Sequence, residues 1–196
     1  MRRRALLYFV KYPEPGKVKT RLAAVLGKEE AARRYGALAS ETLTRLRCLS
    51  QKDIEIVVLF DPPEREQEVR EWLGEGCSYW PQATGDLGER LSGAFKNAFE
   101  CGFSRVMALG SDTLECDSGI LWPGFEFLEK SDAVIGPAKD GGYYAIGLCR
   151  LEPSLFRDIP WSTPHVLKNT LLKAEQAGIS CTLMQELEDL DEVKER

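Results

Sequence analysis

Histidine is almost missing from this chain: His165 is the only one in 196 residues. No site that needs two histidines from one chain can be built. Cysteine occurs at 48, 77, 101, 116, 149 and 181, with no two closer than 15 residues. Without a CxxC pair, a zinc ribbon and a thioredoxin-type redox motif are excluded. In a chain with room for a core, scattered thiols read as small buried hydrophobes in a reducing compartment. Positive charge is also short, with 26 Lys+Arg against 31 Asp+Glu and a net charge of −5. A general nucleic-acid coat is excluded, because a phosphate backbone demands a basic surface. The start, MRRRALLYFVKYP, has an apolar run of only six residues, Ala5 to Val10. A signal core needs about 7–15, and no small-residue cleavage site follows. No run reaches the roughly 18–20 apolar residues of a membrane span. These absences lead to the expectation of a soluble cytoplasmic protein. Neither a Walker A loop nor GxGxxG occurs, so the two commonest phosphate-binding signatures are absent.

What is present is an ordinary globular balance, 43% hydrophobic and 29% charged. At roughly 150 residues per domain, the length predicts one domain across 1–196. Apolar runs alternate with helical periodicity. Ala5–Val10, Ile54–Phe60, Arg105–Leu109, Asp132–Pro137, Tyr143–Leu148 and Ile179–Met184 read as strands, with Ser78–Trp80 as a short one. Helices are expected over Lys28–Ser50, with a stripe from Tyr35 to Leu49, over Glu64–Leu73, Asp86–Gly102 and Thr163–Ala177. Asp86 with Glu89 has capping-box spacing, and Asp117 suits the start of a further helix. Strands and helices in this order predict an α/β fold with a mostly parallel central sheet flanked by helices. In such sheets ligands bind at the carboxyl ends of the strands. Four of the five irregular stretches directly follow a predicted strand, so the chemistry is sought there.

The stretch Lys11–Arg21 carries four basic residues, Lys11, Lys17, Lys19 and Arg21, in an acidic chain. Gly16 lets backbone approach a ligand, and Thr20 can cap a helix whose N-terminus attracts anions. The loop reads as a phosphate cradle or as a solvated basic turn. Asp112 directly follows a predicted buried strand, where a carboxylate is costly unless it is paired or holds a metal. It reads as a ligand for Mg²⁺ or Mn²⁺, or as a turn residue. Asp140-Gly141-Gly142-Tyr143 reads as a second metal ligand or base with backbone close to substrate, or as a plain hairpin turn. Arg90 reaches a phosphate or points outward. Trp161 stacks on a sugar or base, or fills the core. His165 reads as a surface or capping residue.

Together, KYPEPGKVKTRLA, GDLGERL, LGSDT, DGGYYAIGL and IPWST resemble a bacterial family of glycosyltransferase-A-type proteins. That family is labelled nucleotide-diphospho-sugar transferase and is similar to 2-phospholactate guanylyltransferases. The latter share the KTRL loop, an aspartate after the central strand and a DGG turn. The resemblance spans about Leu7 to the tail. It implies a Rossmann-like nucleotide-diphospho-sugar transferase (GT-A) fold, nucleotide phosphates on the first loop and metal at Asp112. Relatives carry proline shortly after that aspartate. Here the chain reads Asp112-Thr-Leu-Glu-Cys-Asp117, so a second carboxylate beyond Asp112 is not implied, and Glu115 or Asp117 stands close enough to intrude.

Three functions follow as expectations. In the first, a nucleotide-diphospho-sugar binds through a divalent ion and its sugar passes to a small-molecule acceptor. The site is then Asp112, Asp140 and Lys19, with Gly16, Lys17, Thr20, Arg21 and Arg90 on the nucleotide and phosphates. Gly141, Gly142, Tyr143 and Trp161 face the substrate. In the second, a nucleoside triphosphate gives its nucleotidyl group to a phosphorylated acceptor and releases pyrophosphate. In the third, the chain binds nucleotide without catalysis. Fold alone does not separate them.

Overall fold

The computed structural model describes residues 3–113 and 116–187. Glu115 and the acidic tail beyond Leu187 lie outside them. Seven strands form one sheet: β1 (Arg3–Lys11), β2 (Ile54–Asp61), β3 (Ser78–Pro81), β4 (Phe103–Gly110), β5 (Ala133–Pro137), β6 (Tyr143–Leu148) and β7 (Cys181–Leu183). Their order is β3-β2-β1-β4-β6-β5-β7. The pairs β1–β2, β1–β4, β2–β3 and β5–β7 are parallel, while β6 runs antiparallel to both β4 and β5. The reversal is local in origin. Five residues join β5 to β6, too few for the crossover of a dozen or more that a parallel neighbour needs. Asp140-Gly141-Gly142 therefore sits in a hairpin connection.

Side chains alternate across β1 and sort the helices onto two faces. Leu6, Tyr8 and Val10 pack with Leu43 and Leu46 of α2 (Lys28–Leu46), Val69 and Leu73 of α3 (Glu66–Leu73), and Leu121 and Phe125 of α5 (Ser118–Phe127). Ala5 and Leu7 face the other way, toward Leu91, Ala94, Phe95 and Ala98 of α4 (Leu87–Glu100) and Ala174 of α6 (Val166–Gln176). The Tyr35–Leu49 stripe is buried as its spacing predicts. Leu87, which its spacing groups with Leu91, Ala94 and Phe95, is 46% exposed, because it opens the helix beside the cleft described below.

Helix termini differ in two places from expectation. The Asp86–Glu89 capping box is formed in full, and the Asp117 side chain caps α5 by accepting from Ile120 N at 3.0 Å. Thr20, however, is not a cap. Helix α1 (Thr20–Leu26) has Lys19 at its N-cap, in the left-handed region at φ 45°, with no side-chain cap. The last helix starts at Val166 rather than Thr163, with His165 at its N-cap position, because Pro164 sits in the turn before it. No helix of the described residues is long and apolar enough to cross a membrane.

Candidate active site

The carboxyl ends of β1, β3 and β4 surround a cleft of about 650 Å³. Three connections fix its walls. Tyr35 of α2 is 3% exposed. Its hydroxyl accepts from Lys11 N at 2.9 Å and pairs with Ser111 Oγ at 2.8 Å, so one buried phenol ties the end of β1 to the loop after β4. Burial pushes its pKa up to about 12, against the lowering effect of those hydrogen bonds. Gln82, just past β3, donates from Nε2 to the carbonyls of Val10 and Leu59, both at 2.9 Å, and so pins its loop to β1 and β2. Arg90 donates to Gly85 O at 3.0 Å and to Gln82 Oε1 at 3.4 Å, and its guanidinium stands 3.7 Å from Asp61 Oδ2. These bonds hold Arg90 in the cleft wall instead of letting it trail into solvent.

Lys17 and Lys19 reach this cleft from the β1 loop, and Asp112 reaches it from the end of β4. Lys19 Nζ lies 3.4 Å from Asp112 Oδ1, with side-chain exposures of 7% and 58%. The ammonium is sheltered and the carboxylate open. The ion pair neutralises Asp112, yet its exposed side remains free for a second partner. Lys19 holds a backbone conformation that costs a non-glycine residue about 1–2 kcal/mol, of the kind that collects at functional sites.

Other candidates stand elsewhere. Arg21 and Thr20 are exposed on α1, and neither they nor Gly16 lines the cleft. Gly16 adopts φ +80° in the approach loop. Asp140 is exposed, and its Oδ1 accepts from Gly142 N at 2.8 Å within the hairpin turn. Gly141 is needed for packing: at φ +87°, a Cβ there would stand 2.2 Å from Pro164 O. Tyr143 lines the cleft and meets Trp161 edge-on, with ring centroids 6.3 Å apart. Trp161 itself packs against the α4 side of the core, where its indole edge leaves no room for a Cβ on Gly88. The Asp117 carboxylate is engaged as the α5 cap.

Sequence reasoning missed Tyr35, Gln82 and Ser111. Tyr35 looked like one more apolar helix position, and nothing local marks Gln82, whose partners are far away in the chain. No three His, Cys, Asp or Glu side chains come together among the described residues to hold a metal. A Mg²⁺ ion here would have the open Asp112 carboxylate as its protein ligand and would complete its shell with phosphate oxygens and water.

Residues 42–163 match a bacterial family described as "uncharacterized protein conserved in bacteria (DUF2064)". The chain belongs to this family. No curated protein matches it. A crystal structure from Desulfovibrio desulfuricans G20, described as a "putative nucleotide-diphospho-sugar transferase", is 34% identical with a TM-score of 0.90, over 97% of this chain and 83% of that one. More distant structures share the fold. A 4-diphosphocytidyl-2C-methyl-D-erythritol synthase from Anaerococcus prevotii has 11% identity and a TM-score of 0.62, over 94% and 89% of the two chains. An inositol-1-phosphate CTP transferase from T. maritima has 14% identity and a TM-score of 0.61, over 98% and 91%. The fold is thus that of nucleotide-diphospho-sugar transferases and nucleotidyltransferases.

Proposed function

We propose that the chain is a transferase that binds a nucleotide-diphospho-sugar in the β1–β3–β4 cleft and passes the sugar to a small-molecule acceptor. The observation that carries this reading is the Lys19–Asp112 pair at the strand ends, with Lys17 beside it. Lys17 and Lys19 bind the diphosphate and offset the charge it gains when the sugar–oxygen bond breaks, a preorganised electrostatic effect. A phosphate oxygen takes the place of Asp112 as the partner of Lys19. Asp112 would hold a Mg²⁺ or Mn²⁺ ion, which when bound supplies Lewis-acid stabilisation of the leaving diphosphate. Arg90 and Gln82, locked to each other and to the strand ends, form the wall that orients the nucleotide.

A second reading, nucleotidyl transfer, is favoured by one observation: three lysines, Lys11, Lys17 and Lys19, converge on the cleft from one loop. That much charge suits a triphosphate. The two are separated by products. The purified protein is incubated with nucleotide sugars or nucleoside triphosphates, Mg²⁺ and a panel of acceptors. Released nucleoside diphosphate means sugar transfer, and released pyrophosphate means nucleotidyl transfer. Binding without either product refutes both in favour of a non-catalytic nucleotide-binding protein.

A further inference from the structure

A second cavity of about 630 Å³ opens beside the first, over the ends of β1 and β2. Lys11 and Lys17 line both. The Asp61–Arg90 pair bridges them, since Asp61 lines the second and Arg90 the first. A molecule in the second cavity therefore lies one side chain away from the proposed phosphate site. Its walls are fixed. Tyr12 N donates to Asp61 O at 2.7 Å, joining the two strand ends. The Tyr12 ring meets Trp72 edge-on at 6.3 Å, and the Arg65 guanidinium lies 5.3 Å from its centroid.

The chemistry of this lining differs from that of the first cavity. Four carboxylates, Glu14, Asp61, Glu64 and Glu68, meet three cations, Lys11, Lys17 and Arg65. Two of those cations are shared with the phosphate site. The third, Arg65, is already paired with Glu68 at 2.7 Å. A phosphorylated ligand entering here meets four carboxylates and no cation that is not either paired or shared with the first cavity. Hydroxyl groups, by contrast, find strong charged acceptors, since hydrogen bonds to a carboxylate are about twice as strong as neutral ones.

We propose that this second cavity is the acceptor subsite, and that it takes a small neutral polyhydroxylated molecule, a sugar or polyol without phosphate. The proposal rests on the transferase reading above, and it favours sugar transfer over nucleotidyl transfer to a phosphorylated acceptor.

The test is a titration of the isotope-labelled protein followed by amide chemical shifts. The probes are glucose, N-acetylglucosamine and glycerol, with glucose 1-phosphate and glucose 6-phosphate as the anionic arm. UDP, CDP and GDP with Mg²⁺ report on the first cavity. At least one neutral probe is expected to shift Tyr12, Glu64 and Arg65 saturably, and more tightly than either phosphate ester. Glu14→Gln and Glu64→Gln are each expected to weaken that binding about tenfold, the loss of one charge-assisted hydrogen bond. Both variants keep the nucleotide shifts at Lys19 and Gln82. Tighter binding of a phosphate ester at Tyr12 and Arg65 overturns the proposal, as does the absence of any neutral-probe shift there. If the nucleotides shift Lys19 and Gln82 in those cases, the transferase reading survives the loss of the subsite. If no nucleotide shifts them, the transferase reading itself fails.

Discussion

Replacing Tyr35 with phenylalanine keeps the ring in its pocket with Val18, Ala32 and Ala39 and removes only the hydroxyl. Two bonds go with it, from Lys11 N at 2.9 Å and with Ser111 Oγ at 2.8 Å. Ser111 is 6% exposed, and it can turn its hydroxyl toward another acceptor. The Lys11 amide is fixed by β1 and cannot. The Lys11 bond is part-buried, so losing its acceptor costs about 1 kcal/mol, the low end of the range for a buried donor. A chain of 150–250 residues loses about 2–4 °C of Tm per kcal/mol, so Tyr35→Phe is expected to melt about 2–4 °C lower. The same hydroxyl couples the end of β1, where the lysine loop starts, to the Asp112 loop, so nucleotide affinity falls as well. Thermal unfolding by circular dichroism and nucleotide titration by calorimetry read the two effects. An unchanged Tm refutes the buried bridge. A lowered Tm with unchanged nucleotide affinity shows that the bridge serves the fold but not the site.

Gly141→Ala forces a Cβ to within 2.2 Å of Pro164 O at a position held at φ +87°. It is expected to destabilise by about 2–4 kcal/mol, and a melting curve like that of the parent chain contradicts that packing role. Burial pushes the Cys116 thiol, ordinarily near 9, up to about 12, with Asp117 adding to the rise, and pushes Tyr35 from 10 to about 12. Both groups are held neutral in the folded state, so their contribution is fully present below pH 9 and is lost as pH rises toward 12. Denaturant midpoints measured across that window should fall. At pH 8–9 a thiol reagent should modify the exposed Cys48 and Cys101 while Cys116 stays protected until unfolding. Rapid labelling of Cys116 in the native protein contradicts its burial.

The layers of the fold were legible because the signals are local. ALLYFV, IEIVVLF and RVMAL are apolar runs with the length of buried strands. Asp86 and Glu89 stand at the spacing that closes a capping box. The direction of β6 was not legible. YYAIGL reads the same either way, and only the short turn before it makes it antiparallel. The cleft was half legible. Lys17, Lys19 and Asp112 stand out as charges in loops that follow strands. Tyr35 and Gln82 act through partners such as Ser111, Val10 and Leu59, distant in sequence and invisible to periodicity. The packing of Gly141 was not legible for the same reason. A DGG turn can expose backbone to a ligand, but Gly141 faces the carbonyl of Pro164, a long-range contact that no local pattern encodes.

The central claim is that Asp112 and Lys19 divide the work of holding a nucleotide diphosphate. Asp112→Asn keeps the shape, removes one negative charge and releases Lys19 from its 3.4 Å pair. Calorimetric titration of a nucleotide-diphospho-sugar, with and without Mg²⁺, into both proteins tests this directly. The parent chain should bind more tightly with Mg²⁺ than without it. Asp112→Asn should lose that enhancement, while its metal-free affinity stays equal or rises, because one negative charge beside the phosphate site is gone. If Asp112→Asn keeps the full effect of Mg²⁺, or if metal-free binding collapses in a folded protein, Asp112 is only a turn residue and the division of work is wrong.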